Sequence, residues 1–266
     1  MSNFKQVDML ENYDVSKYVT PDGYTSDIAI FTIISEQGQG KKKPATKTLK
    51  LMLIKRAEQD SEGRLNIEAG KWALPGGFVD AKNKETALQA AERELQEETG
   101  VTNVFLKHFG VYDKFGRDPR GWIISNAHYA IVPESCLKER KASDDAAEVE
   151  IFSIEQVFDL PLAFDHEKII KEALSFIEKD MVQSTVAKNF LPDEFTLSEL
   201  QRVLLTVTDG TKIATDSIFF ARAPKLPFLE KVVTDSGEMK KTQRNSPRPS
   251  QLYRFNDVSI TKSIWE

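Results

Sequence analysis

Apolar residues along this chain come first at strand rhythm, then at helix rhythm. Residues 27–35 (DIAIFTIIS) and 49–56 (LKLMLIKR) are β-branched, apolar runs of strand length, as buried strands require. The Gly- and Lys-rich stretch 36–48 and the charged stretch 58–71 read as solvated loops, and WALPGGFVD (72–80) as a short strand broken by a Pro-Gly-Gly turn. From Lys84 to Thr99 the chain is rich in Ala, Glu, Leu and Gln, which predicts a helix stopped by Gly100. Leu88, Ala91 and Leu95 fall at i, i+3 and i+7 and predict its buried stripe. Strands are expected at 103–112, 122–132 and 149–153, a charged loop at 138–146, and a helix at 165–180. Strands around two helices without regular βαβ alternation predict a mixed α/β or α+β sandwich.

The polar stretch 179–194 reads as a domain boundary, dividing the chain into residues 1–186 and 187–266. Beyond it FTLSELQRVLLTV (195–207) has helical periodicity after a cap at Asp193 or Thr196, and a short helix is expected over 214–223. Strand-like pieces at 228–234 and 251–256 bracket a basic loop. Helix, helix and β-hairpin is the layout of a small winged helix-turn-helix domain.

Composition adds limits. The 266 residues hold 40% hydrophobic and 29% charged side chains, an ordinary globular balance. No run approaches the ~18 apolar residues that cross a bilayer, and the polar, acidic N-terminus is not a signal peptide. No membrane association is expected. The single cysteine, Cys136, permits no internal disulfide and fits a reducing, cytoplasmic setting. Residues 1–186 carry 24 Lys and Arg against 31 Asp and Glu, a net of −7; residues 187–266 carry 12 against 10, a net of +2. The acidic part suits divalent cations, and the mildly basic part permits a polyanion.

The chemistry concentrates on the helix. Glu94, Glu97 and Glu98 stand at i, i+3 and i+4, within one ~100° sector, where like charges repel unless a cation compensates. An all-oxygen cluster suits Mg²⁺ or Mn²⁺ rather than zinc. Arg93 can pair with a neighbouring acid, and Pro75-Gly76-Gly77 lets backbone approach a ligand or metal closely. Taken alone, the three glutamates describe a solvated helix face equally well.

The surrounding residues extend the pattern. Gly77, then Glu85, then Arg93-Glu94-Leu95-Gln96-Glu97-Glu98-Thr99-Gly100-Val101 after seven further residues, strongly resembles the Nudix box. One departure is the spacing from Gly77 to Glu85, seven residues where the family has five. The resemblance implies an α+β fold, an α/β/α sandwich with a mixed sheet. It also implies Glu94 and Glu98 as the principal metal ligands, Glu97 as a ligand or water-orienting group, Arg93 as their structural partner and Glu85 as a support. Together these four, Arg93, Glu94, Glu97 and Glu98, form the expected catalytic set. KWALPGGFVD (71–80), RDPRGWIISNAHYAIV (117–132), LAFDHEKII (162–170) and LPDEFTLSELQRVL (191–204) further resemble one branch, the ADP-ribose pyrophosphatases and related NrtR-type regulators with a C-terminal winged helix. That branch implies a nucleotide-derived substrate, most specifically ADP-ribose split to AMP and ribose 5-phosphate, and a homodimer.

Arg56 and Arg120 are candidates for gripping a diphosphate or ribose, and Gly77 is the third residue expected to bind substrate. Asp144, Asp145 or Glu148 is a candidate for an additional acid. Asp165 is expected to cap a helix, with His166 structural and His108 packed among apolar strand residues. Trp72, Phe115 and Trp122 are candidates for stacking on a base, with packing the alternative. The sequence leaves a repressor reading beside the hydrolase. Residues 231–254 hold Lys231, Lys240, Lys241, Arg244, Arg248 and Arg254 against Asp235 and Glu238, a net of +4 that suits a phosphate backbone. The helix over 214–223 offers little to read bases, which makes DNA a doubtful partner and favours packing or dimerisation for this module.

Overall fold

In the computed structural model the described residues are 18–36, 46–59, 63–134 and 146–256, with Asp14 and Cys136; the side chains of Glu36, Glu98, Ala146 and Ala147 are not among them. Asp144 and Asp145 therefore lie outside the description. A mixed sheet forms the centre, built from β1 (Gly23–Glu36), β2 (Thr46–Arg56), β3 (Trp72–Ala73), β5 (Phe105–Tyr112) and β6 (Ile123–Ile131) in the order β3-β2-β1-β6-β5. Two further strands join it: β4 (Gly76–Phe78) pairs with β1, and β7 (Ala146–Ser153) with β2. β1 and β6 run parallel, with Asp27 beside Ala127, and the other pairs run antiparallel.

The pleat sorts β1 into two faces. Ile28 and Ile30 point with Met52, Ala130 and Val132 toward helix α1 (Ala87–Thr99), meeting Ala91 and Leu95. Ala29, Phe31 and Ile33 point the other way with Leu51, Leu53 and Tyr129, toward Ile169, Ala173 and Ile177 of the helix at His166–Gln183. Between β7 and that helix lies a four-residue helix, so the two become α2 (Ile154–Val157) and α3 (His166–Gln183). An α/β/α sandwich follows.

α1 begins three residues later than periodicity suggested. Asp80 caps a 3-10 turn at Ala81–Asn83, Lys84 adopts φ +59°, and a capping box between Thr86 and Gln89 then starts the helix. Here the two additional residues of the Gly77–Glu85 interval are absorbed. Leu88 is 47% exposed rather than buried, because the sheet's apolar cluster meets the helix at Ala91 and Leu95, and Val101 just beyond its end.

α3 is held to the sheet by polar bonds at several points. Tyr129 Oη donates to Asp180 Oδ2 at 2.5 Å, Lys107 Nζ donates to the same oxygen at 2.6 Å, and Tyr112 Oη donates to Glu172 Oε2 at 2.7 Å. Beyond a 3-10 turn at Val186–Phe190 come α4 (Leu197–Leu204), α5 (Thr211–Ala214), α6 (Asp216–Arg222) and the short strands β8 (Leu229–Lys231), β9 (Lys241–Thr242), β10 (Ser250–Gln251) and β11 (Tyr253–Phe255). β8 pairs with β11 and β9 with β10, giving a winged helix-turn-helix arrangement. A module this small rarely draws more than about 3–5 kcal/mol from its own core. Here its Phe195, Leu200, Phe219 and Phe228 share one apolar cluster with Ile177 and Met181 of α3. Among the described residues no helix is long and apolar enough to cross a membrane.

Buried His128 gives the fold a pH signature. Its Nδ1 lies 3.1 Å from Ser26 Oγ, and burial, with His108 beside it, pushes its pKa down to about 4. The unfolded chain binds that proton near pH 6.5, so the group costs nothing above about pH 7 and removes on the order of 3 kcal/mol as pH falls toward 4. Buried His166 shifts in the same direction. We expect His128→Gln to flatten, without abolishing, the fall of the thermal midpoint between pH 7 and pH 5; an unchanged slope by calorimetry would contradict this account.

Candidate active site

The site starts with backbone. β4 lies antiparallel to β1, setting Gly76 opposite Asp27 and Gly77 opposite Ser26. Gly76 has φ +156°, and a Cβ there would stand 2.3 Å from the Ser26 carbonyl oxygen, so only glycine fits. At Gly77 a Cβ would fall 2.1 Å from Glu94 Oε1. The bare backbone thus forms a cradle for the Glu94 carboxylate.

On α1 the guanidinium of Arg93 ties the acids together. Its Nε and Nη2 donate to Glu85 at 2.8 and 3.1 Å, and its Nη1 donates to Glu94 Oε1 at 2.6 Å and Glu97 Oε2 at 3.0 Å. Nη2 also reaches the Phe78 carbonyl oxygen at 3.0 Å, fastening α1 to β4. Glu85 accepts from the Asp80 backbone N–H as well, at 2.7 Å. Burial pushes the pKa of Glu94 up, opposed by the hydrogen bond from Arg93, while Glu97 is largely exposed. Glu98 lies on the same helix, with its side chain outside the description. Among the described residues no three acidic, imidazole or thiol groups converge as a complete metal set. The oxygen-only donors and the cradle at Gly77 nevertheless fit a hard divalent cation.

Beside Glu94 opens a cavity of about 540 Å³. Of the residues expected to bind substrate, Arg56, Gly77 and Arg120 all line it. Arg56 donates from Nε to the Ile67 carbonyl oxygen and from Nη2 to Asn66 Oδ1, both at 2.8 Å. Arg120 grips buried Asp118 through Nε at 3.0 Å and Nη2 at 2.6 Å. Although burial would raise the Asp118 pKa, the hydrogen bonds from Arg120 hold it below the usual range.

The cavity also holds residues to which the sequence reading gave no role in the site. Asp27 accepts from Ser125 Oγ at 2.5 Å and lies 3.8 Å from Arg117 Nη2. The Arg117 side chain is only 4% exposed and makes a bidentate pair with Asp165 at 3.0 and 2.6 Å. Asp165 is the N-cap residue of α3, but its carboxylate goes to Arg117 and makes no capping bond. His166 Nδ1 accepts from the Leu74 N–H at 2.9 Å; burial lowers its pKa, leaving a neutral ring whose Nε2 proton lies toward Asp27 Oδ2, 4.0 Å away. Asp27 had a sequence signal, as an acid at the head of an otherwise apolar buried strand. Phe164, also in the wall, had none.

Other candidates lie elsewhere. Trp72 packs in the core edge-on to Phe152 at 4.7 Å. Phe115 and Trp122 stack on each other at 4.7 Å, with Phe115 exposed. Glu148 lies 3.8 Å from Lys55. His108 is exposed rather than packed among apolar residues, its ring edge-on to His128 at 5.3 Å and its Nε2 3.1 Å from Asn126 Oδ1.

In the winged module the helix expected over 214–223 is interrupted at Thr215, which is extended and separates α5 from α6. Gln201 Nε2 binds the Ile213 carbonyl oxygen at 2.9 Å and Asp216 Oδ1 at 3.0 Å, tying α4 to both. Phe219 is buried, while Ser217, Phe220 and Ala221 are exposed on α6. Among the wing's basic side chains, Arg244 pairs with Glu199 at 2.9 and 2.6 Å, Lys240 with Glu194 at 2.8 Å, and Arg254 with Glu230. Lys231, Lys241 and Arg248 are exposed.

Comparison with known proteins matches residues 25–173 to the NUDIX domain and residues 183–263 to the AraR C-terminal winged HTH domain. The chain is 28% identical over 249 residues to the ADPR responsive transcriptional repressor NtrR of Acinetobacter baylyi, spanning 92% of this chain and 86% of that protein. It is 44% identical over 124 residues to the ADP-ribose pyrophosphatase of Methanocaldococcus jannaschii, spanning 46% of this chain and 64% of that protein. A crystal structure of a mutT/nudix family protein from Listeria innocua is 53% identical with a TM-score of 0.52, covering 61% of this chain and 98% of that one.

The two glycines should respond differently to alanine. Gly76→Ala drives a Cβ into backbone and should lower the thermal midpoint by roughly 4–10 °C. Gly77→Ala meets only a carboxylate end, so the midpoint should hold while Mn²⁺ binding weakens roughly 10- to 100-fold. Titration calorimetry and thermal melts separate these outcomes, and equal effects at both positions would refute the assignment.

Proposed function

The chain belongs to the Nudix family, and on that premise we propose that it is a divalent-cation-dependent hydrolase of a nucleoside diphosphate derivative, with ADP-ribose the favoured substrate. The observation that carries this reading is the single cavity in which Glu94 of α1 adjoins Arg56, Arg117 and Arg120. Its mixture of buried carboxylates (Asp27, Glu94 and Asp118) and several guanidinia suits a ligand that carries phosphates and recruits a cation. ADP-ribose is favoured because both curated relatives bear that compound in their names.

Arg56 and Arg120 would receive phosphate oxygens through their N–H edges, which match phosphate geometry bidentately. Gly77 leaves room for the ligand beside Glu94, and Arg93 keeps the acids of α1 in register. A cation held by Glu94, Glu97 and Glu98 would neutralise charge at the reacting phosphorus and acidify the attacking water. Glu97, exposed and bonded to Arg93, would orient that water. Water adds to one phosphorus, the bridging P–O bond breaks, and the departing oxygen takes up a proton, giving AMP and ribose 5-phosphate.

A second reading has its own support. The alignment with the ADPR responsive repressor runs through the winged module, and the wing exposes Lys231, Lys241 and Arg248. In this reading the cavity senses ADP-ribose and the wing lies along DNA phosphates. Most contacts would then be to the backbone, since α6 exposes few groups able to read bases.

The hydrolase predicts AMP release from ADP-ribose with Mg²⁺, and a Glu98→Gln variant slower by roughly 10²- to 10⁴-fold with an unchanged thermal midpoint. Wild-type rates in that variant would sink the mechanism. Gel-shift assays on DNA from upstream of its own gene, with and without ADP-ribose, address the repressor; no shift at low salt eliminates it.

A further inference from the structure

We propose that Phe164 is a positioning residue, its ring holding Arg56 and Arg120 at the spacing that two linked phosphates require. The inference rests on the diphosphate reading given above and adds to it a residue that does not itself touch the reacting atoms.

The case begins with backbone. Residues 161–163 run alongside β3: the Trp72 N–H donates to the Pro161 carbonyl oxygen at 2.9 Å, and the Ala163 N–H to the Trp72 carbonyl oxygen at 2.8 Å. The chain must then reverse to start α3, where the His166 N–H donates to the Ala163 carbonyl oxygen at 3.1 Å. Phe164 makes the reversal at φ +51°, a conformation that side-chain-bearing residues rarely adopt and glycine takes without strain. The turn itself needs no aromatic ring there.

The ring is occupied from the cavity side. The guanidinium carbon of Arg56 stands over it at 5.1 Å and that of Arg120 at 5.5 Å, both within the range of cation–π attraction. Arg120 also lies over Phe78 at 4.9 Å, so aromatic and guanidinium groups alternate along this wall. Each arginine has a second anchor at its edge, Asn66 for Arg56 and Asp118 for Arg120. Phe164 is the group that touches both. The next residue, Asp165, fixes Arg117, so the turn before α3 orients three of the cavity's guanidinia. Fixing them in advance removes the ordering cost that binding would otherwise carry.

The test uses full-length protein in EDTA, which prevents turnover, with ADP-ribose and AMP as titrants in calorimetry. Phe164→Leu keeps apolar volume but removes the π face; Phe164→Gly also relieves the backbone; Phe164→Tyr keeps the face. We expect the Leu and Gly variants to bind ADP-ribose roughly 10-fold more weakly, with a smaller loss for AMP. The Gly variant should melt no lower than wild type, and the Tyr variant should bind as wild type does. Wild-type ADP-ribose affinity in the Leu variant would overturn the proposal, as would equal losses for both ligands in step with a lowered melting temperature. Wild-type protein that neither binds ADP-ribose in the millimolar range in EDTA nor hydrolyses it with Mg²⁺ would overturn the diphosphate reading and this inference together.

Discussion

A carboxylate taken out of water has to be compensated, and the seating of Glu94 sets the terms for the rest of the site. An uncompensated buried charge costs several kcal/mol. Arg93 is the nearby cation, but it is a third exposed, and pairs of that kind contribute about 1 kcal/mol or less. It is moreover divided among Glu85, Glu94, Glu97 and the Phe78 carbonyl oxygen. The balance leaves a demand for further positive charge at Glu94, against a strand stripped of side chains at Gly77. β4 must lie close to β1 to supply that strand, and Gly76 is the residue that lets it.

The opposite wall solves the complementary problem of keeping guanidinia in a cavity without letting them collapse onto the acids of α1. Arg117 belongs to Asp165, and Arg120 to Asp118, in short bidentate pairs. Arg56 donates to the Asn66 side-chain amide oxygen and to the Ile67 carbonyl oxygen. Local partners fix each of these cations at its own place in the wall. Charges of both signs therefore persist in one cavity, which is what a cation-and-phosphate ligand needs from its walls.

How much of this was legible in the sequence follows from how local each feature is. The strands and the box helix announce themselves through composition and period, and Glu94, Arg56, Gly77 and Arg120 could be nominated from residue chemistry. The start of α1 was misplaced because a capping box and a left-handed Lys84 are local contests that composition does not reveal. Leu88 has the period of a core residue, but periodicity does not say where the sheet beneath it ends. Asp165 was read correctly as the residue before a helix, yet its carboxylate went to Arg117, a partner 48 positions away. Phe164 was invisible because neither a positive φ on a phenylalanine nor two arginines brought over its ring from distant strands and loops leaves a mark in local sequence. The comparisons bear out the family and the winged module that the sequence already indicated; they do not reach the roles of these side chains.

The two functional readings converge on one structural element. α3 starts in the cavity wall, where Asp165 fixes Arg117 and His166 supports the Leu74 backbone, and its later residues Ile177 and Met181 lie in the apolar cluster shared with α4 and α6. Hydrogen bonds from Lys107 and Tyr129 to Asp180 hold that far end against the sheet. Any rearrangement of the turn at Phe164 on seating a diphosphate therefore acts on a helix that cannot shift without disturbing the packing under the winged module. Hydrolysis needs only the cavity end of this helix, whereas a repressor needs both. A core shared between the cavity wall and a winged module is more than catalysis requires, and it gives the sensing reading a physical route that a flexible tether would not.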